Sequence, residues 1–278
     1  MPERYAKYHA LGNDYLVLDP QSFSIPLTPQ KIQRICHRNF GLGSDGILYG
    51  PQPSTEDIPA VSIFNPDGSE AEKSGNGIRI FAKYLWDHGY ATSDSLDLHT
   101  KGGKVSVHRN DAQATNLTVA MGKLTVHEKQ RLSLDEGRYV VDVYPASIGN
   151  PHAAVIEEVQ DISEALAREW GPLIENSPYF PHRTNVQFVK VLDRDNIQIE
   201  IWERGAGYTL ASGSSSCAAA GVCYNLGLCN DNITVHMPGG KLQIQVQKDL
   251  EMIMTGDVSS VATGQFTAPF IDQLLQLE

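Results

Sequence analysis

The chain contains, at residues 65–77, the stretch Asn65-Pro-Asp-Gly-Ser-Glu-Ala-Glu-Lys-Ser-Gly-Asn-Gly77, which leads into the helical pattern Ile78-Arg-Ile-Phe-Ala-Lys-Tyr-Leu85. The same design returns 138 residues later as Glu203-Arg-Gly-Ala-Gly-Tyr-Thr-Leu-Ala-Ser-Gly-Ser-Ser215, again followed by a helical pattern. Ser74-Gly75 corresponds to Ser212-Gly213. Two copies are too few for a solenoid, which needs at least three repeats. The repeat therefore predicts a duplicated domain with two equivalent helix starts that face one cleft.

Two further pairs of matching motifs, each with its members 137 residues apart, extend the repeat over most of the chain. Gly12-Asn13 corresponds to Gly149-Asn150, and Gly102-Gly103-Lys104 corresponds to Gly239-Gly240-Lys241. A chain of 278 residues is long enough for two domains that each bury a core. We predict a first domain over 1–123 and a second over 124–264, with a hinge in 124–140. The tail 265–278 has apolar residues at helical spacing that suit packing on either half, and it is assigned to the first domain.

Short strands surround each helix pattern. The segment 196–202 alternates apolar and polar residues with period two, and 105–107 and 242–246 each follow a Gly-Gly turn. Further helices are predicted at 28–39, with Thr28 as cap, and at 163–170, with Ser163 as cap. The predicted fold class is α/β, in the α+β sense, with several strands and one central helix in each half.

The composition excludes several classes of function. The chain has 33 acidic and 22 basic residues, and its net charge of -11 argues against a nucleic-acid or membrane-surface partner. No stretch reaches the roughly 18 apolar residues that span a bilayer, and the first residues lack the apolar core of a signal peptide. The four cysteines show neither Cys-x-x-Cys pairing nor zinc-like spacing to histidine, so no metal site is expected. We predict a cytoplasmic protein with reduced thiols.

Each repeat places a serine and a glycine directly before a helix. The first amide groups of a helix have no partner within it and carry partial positive charge, so a carboxylate or phosphate is a natural ligand there. Gly75 and Gly213 would let a ligand approach the backbone closely. For one isolated serine the simpler interpretation is an N-cap, as serine often fills that position. Two matched copies, Ser74 and Ser212, favour a shared site.

Seven further polar residues lie beside the predicted strands and turns. Each asparagine could be only a turn former, His152 a loop histidine, and Glu203-Arg204 a surface ion pair worth ~0–1 kcal/mol. A binding site that combines two helix starts with one arginine, one glutamate and several amides suits a zwitterionic amino acid. The seven candidates are Asn13, Asn65, Asn150, His152, Asn185, Glu203 and Arg204.

These residues closely resemble the diaminopimelate epimerase family, whose members work without pyridoxal phosphate. The resemblance covers essentially the whole chain. It includes His9-Ala-Leu-Gly-Asn-Asp14, Gly41-Leu-Gly-Ser-Asp-Gly46, residues 64–79, Ser147-Ile-Gly-Asn-Pro-His-Ala153, Thr184-Asn-Val186 and residues 202–220. It implies two pseudo-symmetric domains, each a small, mainly antiparallel sheet rolled around a central helix, with the substrate between them.

The resemblance also implies the role of each candidate. In the family, two cysteines flank the substrate Cα, one removing a proton as thiolate and the other delivering one to the opposite face. The reacting amino-acid end would be held by Asn13, Gly75, Asn76, Gly213 and Ser214. The distal end would be held by Asn65, Asn150, Asn185, Glu203 and Arg204. His152 and Glu203 would assist the two proton carriers at positions 74 and 212.

The chain departs from the family at those two carriers, because both cysteines are replaced by serine, Ser74 and Ser212. A thiol has a pKa of about 8.5 and a hydroxyl one near the ~15.7 of water. The difference makes a serine anion costlier by about 10 kcal/mol, while each helix dipole offsets at most ~2 kcal/mol. A serine alkoxide is therefore not a workable base, and Cys217, expected to be a buried apolar residue, is no substitute.

Two origins of the serines remain open: a natural variant, or a replacement made to trap a substrate complex. The neighbourhood has also diverged, since Tyr208 stands where the family has glutamate and Ser215-Ser216 where it has Gly-Ala. This divergence favours a natural variant. With natural serines, the protons would be carried by His152 and Glu203, or the activity would be weak or different.

The predicted function is epimerisation of an amino acid at Cα without a cofactor, with LL- or meso-diaminopimelate of the lysine and peptidoglycan precursor pathway as the expected substrate. One alternative is a same-fold racemase or isomerase acting on another substrate, such as the phenazine-biosynthesis type, which uses a carboxylate base. Another is a catalytically silent amino-acid-binding protein. A serine hydrolase is disfavoured because no Gly-x-Ser-x-Gly elbow is present. The expected partner is a small molecule, and the resemblance implies a homodimer.

Overall fold

The computed structural model describes residues 3–54, 56–156 and 162–277. The strands are β1 Arg4–Ala10, β2 Asn13–Leu18, β3 Ile47–Gln52, β4 Ala60–Phe64, β5 Glu70–Ala71, β6 Ser95–Thr100, β7 Gly103–Arg109, β8 Asn116–Lys123, β9 Thr125–Val126, β10 Gln130–Leu134, β11 Tyr139–Ser147, β12 Pro151–Ile156, β13 Asn185–Asp193, β14 Asn196–Glu203, β15 Gly207–Thr209, β16 Asn232–Met237, β17 Gly240–Val246, β18 Glu251–Asp257 and β19 Ser259–Gln265. The α-helices are α1 Pro29–Cys36, α2 Gly75–Asp87, α3 Glu164–Glu175, α4 Gly213–Asn225 and α5 Ala268–Leu275. Within these described ranges, no helix has the length and apolar character needed to cross a membrane.

The chain divides into two compact units. One comprises Met1–Val119 with Asp257–Glu278, and the other comprises Ala120–Gly256. The predicted domains change at residues 123/124 and 264/265, a few residues later in each case. The strands β8 and β18 contain the boundaries between the units.

In the first unit the sheet runs β19-β1-β2-β3-β4-β6-β7-β8. Starting from β1, the successive pairs are antiparallel, parallel, antiparallel, parallel, antiparallel and antiparallel. The short strand β5 pairs with the end of β4 and leads into α2. The helix packs against β1, β2, β3 and β6, so the sheet is rolled around it.

The second unit repeats this order of pairing with β11-β12-β13-β14-β16-β17-β18. Its successive pairs are again antiparallel, parallel, antiparallel, parallel, antiparallel and antiparallel. The short strand β15 takes the place of β5 and leads into α4. Because the two units share this order of seven paired strands, the duplication read from the sequence extends to the fold, and the α+β class is confirmed.

The two central helices are buried over almost their whole length because the sheets curve around them. In α2 every residue from Gly75 to Trp86 is buried, including Arg79, which is 0% exposed. In α4 the run Cys217-Ala-Ala-Ala-Gly-Val-Cys223 is buried on all sides. A Cβ added at Gly221 would overlap the Leu124 side chain, so glycine there allows the helix to pack closely against the junction of β8 and β9.

The outer helices each complete an apolar core within their own unit. The first unit's core joins α1 and α5 to the sheet through Ile32, Ile35 and Leu274. The second unit's core does the same for α3 through Ala167 and Ile174. Thr28 and Ser163 accept hydrogen bonds from helical amides at the starts of α1 and α3, which confirms both predicted caps.

The predicted hinge at 124–140 is wrong. This segment forms β9, β10 and the start of β11 within the second unit, and β10 pairs with β11 along its full length. Leu132 and Leu134 point into the core, two residues apart as expected for a strand. The polar residues Arg131 and Ser133, on either side of Leu132, face outward.

Candidate active site

The central helices begin with the same local geometry. Ser74 and Ser212 are extended N-cap residues, at φ/ψ of -138°/117° and -146°/127°. Ser74 Oγ accepts from the amide of Gly77 at 3.1 Å, and Ser212 Oγ accepts from the amide of Ser215 at 3.3 Å. The capping interpretation is therefore correct for both serines. Each cap satisfies one of the first four amide groups of its helix, so it is compatible with a ligand at the others.

In the first unit, four side chains near the Ser74 cap are connected by a chain of hydrogen bonds. The amide of Asn76 donates to Asn13 Oδ1 at 3.0 Å, and Arg79 donates to Asn76 Oδ1 at 2.8 Å. Asn13 donates in turn to Asp45 Oδ2 at 2.9 Å. Each amide oxygen in this chain accepts and each amide nitrogen donates, so the orientation of Asn13 and Asn76 is fixed.

Asp45, which accepts from Asn13, forms an acidic pair with Asp14 around Arg38. Arg38 NH2 lies 2.8 Å from Asp14 Oδ1 and 2.6 Å from Asp45 Oδ1, and Lys7 Nζ lies 2.8 Å from Asp14 Oδ2. Burial raises the pKa of Asp14, but hydrogen bonds from Arg38 and Lys7 outweigh it and leave the pKa below its ordinary value. Asp14 is therefore ionised at neutral pH and holds the two cations beside the Asn13 network.

Tyr15 was missed by the sequence analysis. Its phenolic oxygen lies 3.3 Å from Ser74 Oγ. Alternation along a strand provides the signal that could have found it, since Asn13 and Tyr15 are two residues apart on β2 and share a face. Asn65 lies in the turn between β4 and β5, where its side chain donates to Ser69 Oγ at 2.9 Å. The first unit thus brings Asn13 and Asn76 together and joins Tyr15 to Ser74, while Asn65 stabilises the preceding turn.

In the second unit, parallel pairing of β12 with β13 sets His152 opposite Asn185. His152 is 1% exposed and lies in a strand, which differs from the loop position considered for it. Its Nε2 lies 3.0 Å from Asn150 Oδ1. Burial lowers the pKa of His152 from 6.5 to about 3, and the nearby charge of Arg204 lowers it as well. The imidazole is therefore neutral at pH 7.

Asn185 connects two backbone segments of the candidate site. Its Nδ2 donates to the Pro151 carbonyl at 2.9 Å, and its Oδ1 accepts from the backbone amide of Arg204 at 3.0 Å. The residue is 6% exposed. Asn185 therefore fixes the strand end that carries His152 relative to the turn that carries Glu203 and Arg204.

Glu175, at the end of α3, is a second residue that the sequence analysis missed. Its Oε1 accepts from the backbone amide of Gly205 at 2.9 Å, and its Oε2 accepts from Trp202 Nε1 at 2.7 Å. Arg183 adds an ion pair at 3.3 Å. A hydrogen bond from Ala206 to the Glu203 carbonyl closes the turn. The buried Glu175 carboxylate thus stabilises the Glu203-Arg204 turn through hydrogen bonds to the residues on either side of it, Trp202 and Gly205.

The residues at which the resemblance expects other side chains have defined partners. Tyr208 donates to Glu200 Oε2 at 2.7 Å, and Arg168 stacks over its ring at 4.8 Å. Burial raises the pKa of both Tyr208 and Glu200 above their ordinary values. Ser216 donates to the Ser212 carbonyl at 2.7 Å from within α4. Tyr208 therefore contacts α3 through Arg168, and Ser216 stabilises the first turn of α4.

Ser214, the remaining candidate, is half-buried on the first turn of α4, next to the buried Gly213. Cys217 is fully buried in the same helix, as expected for an apolar role. Across residues 3–54, 56–156 and 162–277, no group of three or more His, Cys, Asp or Glu side chains is arranged to hold a metal ion.

Known proteins match the chain along almost its whole length. A family model described as Diaminopimelate epimerase matches residues 5–127 and 144–261. A Nostoc protein named Diaminopimelate epimerase 2 is 52% identical over 277 residues, which cover 95% of this chain and 95% of the relative. The diaminopimelate epimerase of Moorella thermoacetica is 36% identical over 277 residues, which cover 94% and 98%.

Solved structures share the fold at low sequence identity. A probable proline racemase from Agrobacterium radiobacter superposes with a TM-score of 0.74 at 15% identity, covering 98% of this chain and 95% of the racemase. A phenazine biosynthesis protein from Bacillus anthracis superposes with a TM-score of 0.69 at 13% identity, covering 96% and 99%. The low-identity structures show only the fold, whereas the family model and the full-length relatives show the family. The chain belongs to the diaminopimelate epimerase family.

Proposed function

We propose that this chain epimerises diaminopimelate at Cα, between the LL and meso forms, without pyridoxal phosphate. One structural observation carries the proposal: two buried helices start with the same serine cap and glycine. Reactant and product differ only in configuration at one carbon, so two similar helix starts suit the two mirror-related proton transfers. The full-length relatives named for this activity support the choice of substrate.

In this proposal the polar residues divide by the substrate end that they hold. Asn13, Gly75, Asn76, Gly213 and Ser214 bind the reacting amino-acid end. Asn65, Asn150, Asn185, Glu203 and Arg204 bind the distal amino-acid end. Asn185 contributes its second amide N–H, because its oxygen and its other N–H already hold Arg204 and Pro151.

The proton chemistry differs from that of a thiol pair. Ser74 and Ser212 occupy the positions that the resemblance assigns to the two cysteines, and their hydroxyls act as helix caps. A serine anion costs about 10 kcal/mol more than a thiolate, so neither serine serves as the base. We propose that Glu203 accepts the Cα proton on one face and that a solvent water delivers a proton to the opposite face, after which the protonated Glu203 carboxyl returns its proton to the hydroxide formed. Ser74 and Ser212 then act as neutral hydrogen-bonding groups.

A second candidate function is an amino-acid-binding protein without turnover. The observation that favours it is the chemical state of the site, with hydroxyls at both helix starts and a His152 whose pKa is lowered to about 3. Such a protein would keep the recognition residues and bind diaminopimelate. It would not exchange the Cα proton.

Proton NMR of the protein with LL-diaminopimelate in D2O separates the two candidates. Loss of the Cα-H signal above a heat-killed control would support the epimerase. Saturable binding without loss of that signal would support the binding protein. Neither exchange nor binding would overturn diaminopimelate as the ligand. A cytoplasmic homodimer also remains a prediction, which fractionation and sedimentation can check.

A further inference from the structure

Gln187 makes a buried contact with His152 that the proposed roles leave unexplained. It lies on β13, two residues after Asn185, and is 0% exposed. Its Nε2 lies 3.1 Å from His152 Nδ1 and 3.0 Å from Ser215 Oγ. One amide group therefore connects the candidate histidine to the first turn of α4.

The contacts on the two ring nitrogens agree on one tautomer. An amide N–H can only donate, so the Gln187 contact requires His152 Nδ1 to be an unprotonated acceptor. An amide oxygen can only accept, so Asn150 Oδ1 at 3.0 Å requires the proton to lie on His152 Nε2. Two residues on opposite sides of the ring thus specify the same neutral form.

The opposite orientation of Gln187 fits the site less well. In the present orientation both N–H groups of Gln187 have acceptors, and its buried Oε1 has no hydrogen-bond partner among the described residues. Reversal would leave two buried donors without acceptors, which is unfavourable because each would lose its hydrogen bonds to water without a replacement.

Ser215 anchors this orientation. The resemblance expects glycine at this position, and a glycine has no side chain to accept the second N–H of Gln187. Ser215 is 0% exposed and supplies that acceptor. The departure from the family pattern thus creates a partner for Gln187 and, through it, a defined state of His152.

We propose that Gln187 is a positioning residue that holds His152 as the neutral Nε2–H tautomer, so that His152 provides a hydrogen-bond donor and not a base. The catalytic meaning of this tautomer rests on the proposed function, in which Glu203 is the proton acceptor. The tautomer itself is a property of the free protein.

Nitrogen NMR of protein labelled with 15N-histidine tests the tautomer directly at pH 7. The His152 signals are assigned from their loss in His152→Gln, since the chain has nine histidines. We expect a pyridine-type shift for Nδ1 and a pyrrole-type shift for Nε2. A pyrrole-type Nδ1 in the unmodified protein would overturn the proposal without any variant.

Gln187→Glu is the decisive variant because it replaces a donor by an acceptor of nearly the same shape. We expect Nδ1 to gain a proton and to move to a pyrrole-type shift. Ser215→Gly, which removes the anchor, should mix the two tautomers. Gln245→Glu, on the exposed face of β17, is the matched control and should leave the His152 signals in place. Unchanged His152 signals in Gln187→Glu would overturn the proposal.

This experiment uses no substrate, so its result is independent of turnover. If the tautomer is as expected and diaminopimelate neither binds nor exchanges, the proposed function fails while the assignment of Gln187 stands. If diaminopimelate exchanges and the tautomer is the opposite one, the assignment of Gln187 fails alone.

Discussion

Glu175 and Gly205 are joined by a hydrogen bond of 2.9 Å from the Gly205 amide to the Glu175 carboxylate, 30 residues apart in the chain. The same carboxylate accepts from Trp202 at 2.7 Å and is 5% exposed. It therefore fixes both ends of the turn that begins with Glu203 and Arg204. Gly205, at φ +74°, adopts the left-handed conformation that this turn requires.

We expect Glu175→Gln to destabilise the protein and to weaken binding of diaminopimelate. The amide keeps one oxygen acceptor but turns a donor toward either Trp202 or Gly205, which leaves a buried N–H unsatisfied at a cost of about 1–3 kcal/mol. Urea unfolding and calorimetric titration measure the two effects. Glu169→Gln, on an exposed position of α3, is the control and should stay within about 0.5 kcal/mol. Equal unfolding midpoints for the two variants would contradict the role given to Glu175.

The second prediction concerns His152, whose pKa is lowered from 6.5 to about 3. Below pH 6.5 the unfolded chain binds a proton at this position that the folded chain does not, so stability must fall as the pH falls toward 3. The contribution is fully present above pH 6.5. Between pH 7.5 and 4.5 we expect a loss of about 2–3 kcal/mol from this residue.

Urea unfolding of the unmodified protein and of His152→Gln over this pH range isolates that loss. Carboxylates such as Asp14 titrate in both proteins and cancel in the difference between them. A stability difference that stays constant with pH would show that His152 titrates normally in the folded state.

Sequence reasoning found what is encoded locally. The caps at Ser74 and Ser212 depend on a serine one residue before a helical pattern, and the repeat identified both copies. It did not find Glu175 or Gln187, because their partners lie 30 and 35 residues away. Strand register and the packing of α3 bring these pairs together, and neither is visible in a local pattern.

The wrong prediction of a hinge at 124–140 has the same origin. The short strand β10 within it is mostly polar, and such a strand resembles a linker until its pairing partner is known. The alternation of Leu132 and Leu134 was the available signal, and only the antiparallel pairing with β11 turns it into a buried strand. Secondary structure that depends on distant partners was therefore the least predictable part of the fold.

A third prediction follows from the packing of α3. A Cβ at Gly171 would overlap the Trp202 ring. Gly→Ala in a helix usually gains about 1 kcal/mol, but here the overlap should outweigh it and destabilise the protein by about 1–3 kcal/mol. Thermal unfolding checks the sign. Ala165→Gly, at an exposed site of the same helix, gives the propensity alone and should cost about 1 kcal/mol. A stabilised Gly171→Ala would mean that Trp202 moves freely.

The last prediction addresses the serines directly. Ser74→Cys with Ser212→Cys lowers the cost of forming an anion at each helix start by about 10 kcal/mol, because a thiol has a pKa near 8.5. If the rest of the site recognises diaminopimelate, the double variant should exchange the Cα proton at least tenfold faster than the unmodified protein in D2O, with the rate rising toward pH 8.5. Each single variant should gain less, since epimerisation needs a proton carrier on both faces of Cα. Ser259→Cys, an exposed thiol on β19, controls for adventitious thiol chemistry. If the double variant binds diaminopimelate and still exchanges no faster, the absence of thiols is not what limits this site, and the Glu203 carboxylate alone sets the rate of proton removal.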